Sequence, residues 1–318
     1  MRVLVTGGAG GLGINVCTLL VQRGHKVRIL DLRTDRNLKS IQKIGDGVEV
    51  CWGDITKAES IQRSLDHIDI VVHMAAILPP MALRLPELAK RVNVDGTKTL
   101  IEVIKQQKNR IPIIYTSSVA VFGPTPDASE PLSFDKNQPH PVDSYGETKL
   151  QAENVIKQSG LDFVILRLTA TPYLTFNAKD LKQMYDIPLH NRVEFCHPDN
   201  IALAIGNSVE NFAEIDGRIL IISGGSGQRM LYKDMIGGIL SILGLPLPPE
   251  EKFAKEPYPL DWYDTSESEN LLNYQCHNYT DYLNGFSTRL SQRYGKAFIP
   301  LMRRGTGRVI GKVIFRFI

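Results

Sequence analysis

Tyr145 and Lys149 stand four residues apart in Ser144-Tyr-Gly-Glu-Thr-Lys149, downstream of Ser118. On a helix that spacing puts a phenol and an ammonium on one face, one turn apart. A phenol titrates near 10 in isolation, but a neighbouring ammonium favours its ionised form. Tyr145 then becomes a base able to take an alcohol proton. Ser118 adds a hydroxyl that can hold the substrate oxygen while charge develops on it. An alcohol that loses a proton this way must also lose hydride, and the start of the chain suits a hydride carrier. Val5-Thr-Gly-Gly-Ala-Gly-Gly-Leu-Gly13 places Gly7, Gly10 and Gly13 in Gly-x-x-Gly-x-x-Gly spacing, with Gly11 and Leu12 between them, just before a helix-like run from Ile14 to Arg23. Glycines there let the backbone approach a pyrophosphate, whose charge is met by the helix N-terminus. No Gly-Lys-Ser/Thr follows, which sets a mononucleotide P-loop aside.

The elements that must position these residues follow from periodicity. Short β-branched runs (Arg2 to Thr6, Lys26 to Asp31, Val48 to Trp52, Ile68 to His73, Ile111 to Thr116, Phe163 to Leu168) alternate with longer helix-forming segments. Runs with few alternating polar residues suit a parallel sheet buried on both faces, with helices as right-handed crossovers. The expected fold class is α/β, a doubly wound parallel sheet with a smaller C-terminal substrate-binding lobe. The nucleotide-binding part spans 1–171, and the runs within 193–223 still read as strands that rejoin or flank its sheet. The lobe spans 172–295, punctuated by Pro246-Leu-Pro-Pro249, Pro257 and Pro259. A basic, apolar tail occupies 296–318; it either packs on its own protein or a partner subunit, or lies on an anionic membrane surface.

In that frame Asp31 ends the second strand about 20 residues after the glycines. Its carboxylate can hold the adenosine ribose hydroxyls and repel a 2′-phosphate, favouring NAD over NADP. Arg33 and Arg36 are the counterweight, since both could accept such a phosphate. Asp54 and Ile55, in Trp52-Gly-Asp-Ile-Thr56, follow the third strand and are placed to meet the adenine ring.

Composition bounds the rest. A chain of 318 residues, 43% hydrophobic and 22% charged, is an ordinary globular protein. Its net charge of +3 is too mild to imply nucleic acid. Cys17, Cys51, Cys196 and Cys276 follow no paired spacing and read as reduced core thiols. The chain opens on a strand, which leaves no room for a signal or transit peptide, and no apolar run reaches the roughly 18 residues of a membrane span. A cytoplasmic location is expected.

The sequence resembles the extended short-chain dehydrogenase/reductase superfamily, also called the NAD-dependent epimerase/dehydratase family, over roughly Met1 to Ile222. The resemblance rests on the Thr6 to Gly13 turn, Asp31, Gly53-Asp54, His73-Met-Ala-Ala76, Val92-Asn-Val-Asp-Gly-Thr97, Thr116-Ser-Ser118 and the Tyr145/Lys149 pair. It implies a Rossmann domain with bound NAD in which Ala75 and Ala76 line the cofactor's diphosphate and ribose. It also implies that Asn93 fixes a helix near the active site, that Lys149 holds the nicotinamide ribose, and that Pro172 follows the strand beside nicotinamide. Ser118 is chosen over Ser117 because the family's serine precedes x-x-Val-Tyr-Gly, here with Phe122 in place of tyrosine. Homodimerisation through the Tyr145 helix and a Leu88 to Ile104 helix is a further implication.

Three functions remain open at this level. One is a dehydrogenase or ketoreductase acting on a secondary alcohol or ketone. Another is a nucleotide-sugar epimerase with tightly held NAD, and the third is a non-catalytic NAD-sensing protein. Val119-Ala120 stands where dehydratases of the family carry an acidic pair, and Thr169-Ala-Thr-Pro172 replaces an asparagine usual in nucleotide-sugar enzymes. The apolar run from Ile77 to Leu83, with Tyr173 and Trp262-Tyr263 as aromatic walls, suits a hydrophobic substrate; the alternative is that these residues pack as lobe core. The run Ser118 to Pro126 is also similar to threonine dehydrogenases, and the general layout to hydroxysteroid dehydrogenases. No metal is expected: Cys196, His197 and Asp199 lack a second ligand pair. Gly224-Gly-Ser-Gly-Gln228 lacks the final glycine of a nucleophile elbow.

Overall fold

The computed structural model describes residues 1–126, 128–169, 171–172 and 183–295. Tyr173 and the 296–318 tail lie outside the described residues.

The first half alternates strictly: β1 (Arg2–Thr6), α1 (Gly11–Gln22), β2 (Lys26–Asp31), α2 (Asp35–Ile41), β3 (Val48–Trp52), α3 (Ala58–Ser64) and β4 (Ile70–His73). Two single-turn helices, α4 (Met81–Arg84) and α5 (Pro86–Ala89), lead through a π-helical turn at Lys90–Asp95 into α6 (Gly96–Lys105). Then come β5 (Ile113–Ser118), a 3-10 turn at Val119–Phe122, α7 (Ser144–Lys157) and β6 (Phe163–Leu168). Beyond these lie β7 (Arg192–Glu194), α8 (Pro198–Glu210), α9 (Phe212–Ile215), β8 (Ile219–Ile222), β9 (Arg229–Leu231), α10 (Tyr232–Ile242), α11 (Ser266–Leu272) and α12 (Tyr279–Tyr294).

Seven strands pair in parallel in the order β3-β2-β1-β4-β5-β6-β8. The chain reverses its direction of travel between β1 and β4, the switch point where such sheets open a crevice at their strand ends. Val3, Val5, Ile29, Val72, Ile114 and Val164 pack under α1 and α8 on one face; Leu4, Val71, Ile113 and Ile165 pack under α3, α6 and α7 on the other. Burial of each such side chain contributes about 1.5–3 kcal/mol, so a run apolar at every position is stable only between two helical layers.

Two strands begin later than periodicity suggests. Asp69 is held outside β4, its carboxylate accepting the Arg2 N–H at 2.7 Å. Pro112 has no N–H to donate, and β5 starts at Ile113. β5 in turn runs two residues past Thr116, which makes Ser118 its last residue. The single helix expected from Leu88 to Ile104 is broken by the π-helical turn at Lys90–Asp95. Pi-helical turns of this kind are frequent at functional sites, and this one contains Asn93.

β7 and β9 pair antiparallel outside the main sheet. With α10 and α12 they enclose a second core of Leu189, Phe195, Tyr232, Leu240, Phe253, Tyr263, Tyr282 and Phe286. Val119, Val121 and Phe122, the turn directly after Ser118, belong to this second core, so the end of β5 meets the lobe.

Candidate active site

α7 starts where it does because Asp143 caps it, accepting the Gly146 N–H at 2.7 Å. Gly146 also allows the helix to reach the end of β5: a Cβ there would lie 2.6 Å from the Ala120 carbonyl oxygen. Ala120 in turn donates its N–H to the Ser118 hydroxyl at 3.2 Å. This close approach sets the first turn of α7, which carries half-buried Tyr145, against the turn that follows Ser118. Gly146 is a residue to which sequence alone assigned no role.

Lys149 follows one turn later and is buried, its Nζ donating to the Thr116 carbonyl at 2.8 Å. The ammonium lies 4.9 Å from the Tyr115 ring centre and 6.0 Å from that of Tyr145. Burial pushes its pKa down to about 7, against a smaller upward pull from the Glu153 carboxylate. The unfolded chain therefore binds the proton more tightly than the fold does. Lys149 costs stability in full below pH 7 and progressively less as pH rises from 7 toward the unfolded value. We predict that Lys149→Met raises the melting temperature relative to the parent most at about pH 6, with the gap closing toward pH 10. A gap independent of pH across a thermal-melt series would contradict it.

A hydrogen-bonded chain ties the glycine turn to α7. Thr6 Oγ1 accepts the Met74 and Ala75 N–H groups at 3.2 Å each and pairs with His73 Nδ1 at 2.7 Å. Thr97 donates its hydroxyl to the Asn93 carbonyl at 2.6 Å, so its oxygen accepts from His73 Nε2 at 2.9 Å. His73 is thereby fixed as the Nε2–H tautomer, with Nδ1 accepting from Thr6. Burial, with Lys149 adding to it, pushes the His73 pKa down to about 3, which keeps the ring neutral. Asn93 completes the link, accepting the Ile77 N–H at 2.7 Å and donating to the Ile77 carbonyl and the Thr148 hydroxyl at 3.1 Å each.

The glycine turn fits a dinucleotide on two observations. A Cβ on Gly7 (φ +74°) would meet the Ala75 backbone at 2.8 Å, and one on Gly13 would lie 2.5 Å from the Gly7 carbonyl oxygen and 2.7 Å from Gly8 Cα. Gly10 is under less pressure, with 3.1 Å to the Gly7 oxygen. In addition, α1 begins at Gly11 and Leu12 with no side-chain cap and no acidic residue in its first turn. Its first N–H groups are thus left for an anion.

Asp31 Oδ2 accepts the Ala9 N–H at 3.0 Å, and Oδ1 accepts from Leu32 N at 2.8 Å and Asn37 Nδ2 at 3.1 Å. It sits against the turn, partly buried, with desolvation raising its pKa. Arg33 and Arg36 are exposed just beyond it. Asp54 accepts the Thr56 N–H and hydroxyl at 2.9 Å each, closing its own turn. Ile55 lies in the core with Leu4, Leu30 and Leu100. Ala75, Ala76 and Ile77 line the end of β4, and Pro172 is half-buried. Leu78, Met81 and Leu83 stand exposed beside them.

Other residues raised by sequence do structural work. Tyr263 packs in the lobe core, and Trp262 lies 5.0 Å under the Arg192 guanidinium. Cys196 is buried, while His197 caps α8 by accepting the Asp199 N–H at 3.1 Å. Asn200 pins the following loop, accepting from Cys276 N at 3.2 Å and His277 N at 2.9 Å and donating to the His277 carbonyl at 2.8 Å. An aspartate could not make the last of these bonds.

Residues 4–163 match the model of the 3-beta hydroxysteroid dehydrogenase/isomerase family. The chain is 38% identical over 168 residues to 3-beta-hydroxysteroid dehydrogenase of Mycolicibacterium neoaurum, covering 50% of this chain and 43% of that one. It is 29% identical over 184 residues to D-erythronate dehydrogenase of Cupriavidus necator, covering 53% and 54%. The chain thus spans about half the length of the curated relatives it matches. In fold it is similar to UDP-glucuronic acid 4-epimerase from Bacillus cereus, with a TM-score of 0.78 and 24% identity over 92% of this chain and 100% of that one. The glycine turn, Ser118, Tyr145 and Lys149 all fall inside the matched segment, and the chain belongs to the 3-beta hydroxysteroid dehydrogenase/isomerase family, within the extended short-chain dehydrogenase/reductase superfamily.

Proposed function

We propose that this protein is an NAD-dependent dehydrogenase that oxidises a hydrophobic secondary alcohol to the ketone, or runs the reverse. The observation that supports this reading is the approach of α7, which carries Tyr145 and Lys149, to the turn just after Ser118: a Cβ on Gly146 would lie 2.6 Å from the Ala120 carbonyl oxygen. Bound NAD would supply the acceptor for the hydride that leaves the alcohol carbon. Gly7, Gly10, Gly11, Leu12 and Gly13 would cradle its pyrophosphate and Asp31 its adenosine ribose, with Arg33, Asp54 and Ile55 at the adenine end. Ala75 and Ala76 would line the cofactor's diphosphate and ribose, Asn93 would fix the helix near the active site through its bonds to Ile77 and Thr148, and Pro172 would follow the strand beside nicotinamide. Tyr145 would take the hydroxyl proton as the carbon–oxygen bond gains double-bond character, and would return it in the reductive direction. Lys149 would hold the phenolate and the nicotinamide ribose. Ser118 would donate its hydroxyl hydrogen to the substrate oxygen, its own oxygen already being occupied by Ala120 N–H.

Ile77 and the exposed Leu78, Met81 and Leu83 support an apolar substrate, in the sense of the steroid named for one relative rather than the sugar acid named for another. No described helix is long and apolar enough to cross a membrane, and all four cysteines are free thiols, which supports a cytoplasmic protein. The homodimer reading rests on α7 and the 88–104 segment; a monomeric sedimentation profile would remove it.

Purified protein should be assayed for retained nicotinamide, then given secondary alcohols, sterols and nucleotide sugars while NADH fluorescence is followed. NADH accumulating with an apolar alcohol is expected. Tightly retained NAD, no net NADH and interconversion of a nucleotide sugar would replace this reading with the epimerase.

A further inference from the structure

Behind Lys149 lies a buried charge row that the proton transfer itself does not use. Tyr145, Lys149 and Glu153 recur every four residues and share one face of α7. Glu153 is fully buried and both its carboxylate oxygens are engaged by Arg167 of β6, Nε at 3.0 Å and Nη2 at 2.8 Å. Ser117, the neighbour of the candidate catalytic serine, donates its hydroxyl to Glu153 Oε1 at 2.5 Å. Arg167 is 1% exposed and its guanidinium lies 4.9 Å from the Phe122 ring and 5.4 Å from the Phe134 ring. Its Nη1 has no hydrogen-bond partner among the described residues.

Such a pair is a poor stabilising device. Two charges removed from water recover their desolvation cost only with excellent geometry, and apolar residues of equal volume commonly serve as well or better. Its position suggests another use. The groups that face the Lys149 ammonium are the Tyr115 ring from β5, neutral His73 from β4, and Tyr145 and Glu153 from α7 itself. Glu153 supplies the negative charge among them, and Arg167 and Ser117 hold that charge in one place.

We propose that Glu153 is a positioning residue for the Tyr145/Lys149 pair, its carboxylate, fixed by Arg167 and Ser117, keeping the buried Lys149 in its ammonium form so that Tyr145 has a cation beside it. This rests on the roles given above to Tyr145 and Lys149. Without the carboxylate, Lys149 loses its proton at lower pH, and near neutrality Tyr145 faces an uncharged amine. Arg167 has a second effect: its two parallel bonds fix the orientation of the Glu153 carboxylate relative to Lys149.

The test is the ionisation of Lys149 in the full chain, without nucleotide or substrate. The protein is labelled with 13Cε-lysine, the Lys149 resonance is assigned by its loss in Lys149→Met, and its shift is followed against pH. Glu153→Gln should lower the midpoint by about one pH unit or more, as loss of an opposite charge one helical turn away in a buried setting does. Where Glu153→Gln leaves Arg167 charged and alone and the chain folds poorly, Glu153→Gln with Arg167→Gln carries the same test, because neither buried charge is then left uncompensated. Glu153→Asp, which keeps the charge, should restore most of the shift. An unchanged midpoint in a folded Glu153→Gln or double variant would overturn the proposal, as would an Asp variant that shifts as far as Gln. Because no turnover is involved, absence of activity on every alcohol would remove the dehydrogenase reading and leave this titration to decide its own question.

Discussion

Tyr145→Phe is expected to lower turnover of the oxidised alcohol by about 10²- to 10⁴-fold, the usual cost of removing a positioned general base. The exchange deletes one oxygen from a half-buried ring and leaves the Asp143 cap and the contact of Gly146 with Ala120 in place. The variant should therefore fold as the parent does and retain nicotinamide to the same extent. NADH formation measured under substrate saturation, beside the bound-nucleotide content of the same preparation, separates the outcomes. Turnover within a fewfold of the parent would show that another group takes the proton. Loss of nucleotide together with turnover would show that Tyr145 matters for binding rather than for proton transfer.

Gly13→Ala carries the second large effect. The new methyl group would meet two backbone neighbours, the Gly7 carbonyl oxygen at 2.5 Å and Gly8 Cα at 2.7 Å, and neither can swing away as a side-chain tip would. Relief requires the turn to open, which should cost about 1–3 kcal/mol of stability, the usual range for overpacking. It would also move the first N–H groups of α1 out of line, so bound nicotinamide should fall below detection in the purified protein. Gly10→Ala is the internal control: its nearest neighbour is 3.1 Å away, and it should lose far less stability and nucleotide. Equal behaviour of the two variants in thermal melts and nucleotide assays would refute the steric account.

Those two residues were legible because the rules that mark them are local. Gly13 is announced by a spacing next to a strand, and Tyr145 by Lys149 one helical turn on. The sheet was legible for a related reason, since strands buried on both faces must be apolar throughout. Glu153 was not, because on its own it is an ordinary helical glutamate. Its meaning comes from Arg167, 14 residues away, and Ser117, 36 residues away, which meet it only when β5, β6 and α7 have packed. Asn200 was not legible either, because its partner is the loop at Cys276 and His277, which no spacing announces. Thr6, His73 and Thr97 lie similarly far apart, and only the folded sheet joins them into one hydrogen-bonded line. Trp262 and Tyr263 were ambiguous because an aromatic pair reads alike as a wall or a core until its neighbours are known.

The hydrophobic core of the lobe, separate from the two that cover the faces of the sheet, has a consequence for how such a protein can change through descent. The candidate catalytic residues Ser118, Tyr145 and Lys149 stand at the end of β5 or on α7, inside the segment 4–163 that the family model matches. The lobe packs around Phe195, Tyr232, Tyr263 and Tyr282, all beyond that segment, and meets the sheet at the turn after Ser118, at Ile221 of β8 and at Leu150 of α7. The nucleotide turn, by contrast, borders the sheet's own core, where Leu12 packs, so substitutions within the lobe core act at a distance from it. Lineages sharing this sheet are free to keep one nucleotide turn while the lobe core varies around it.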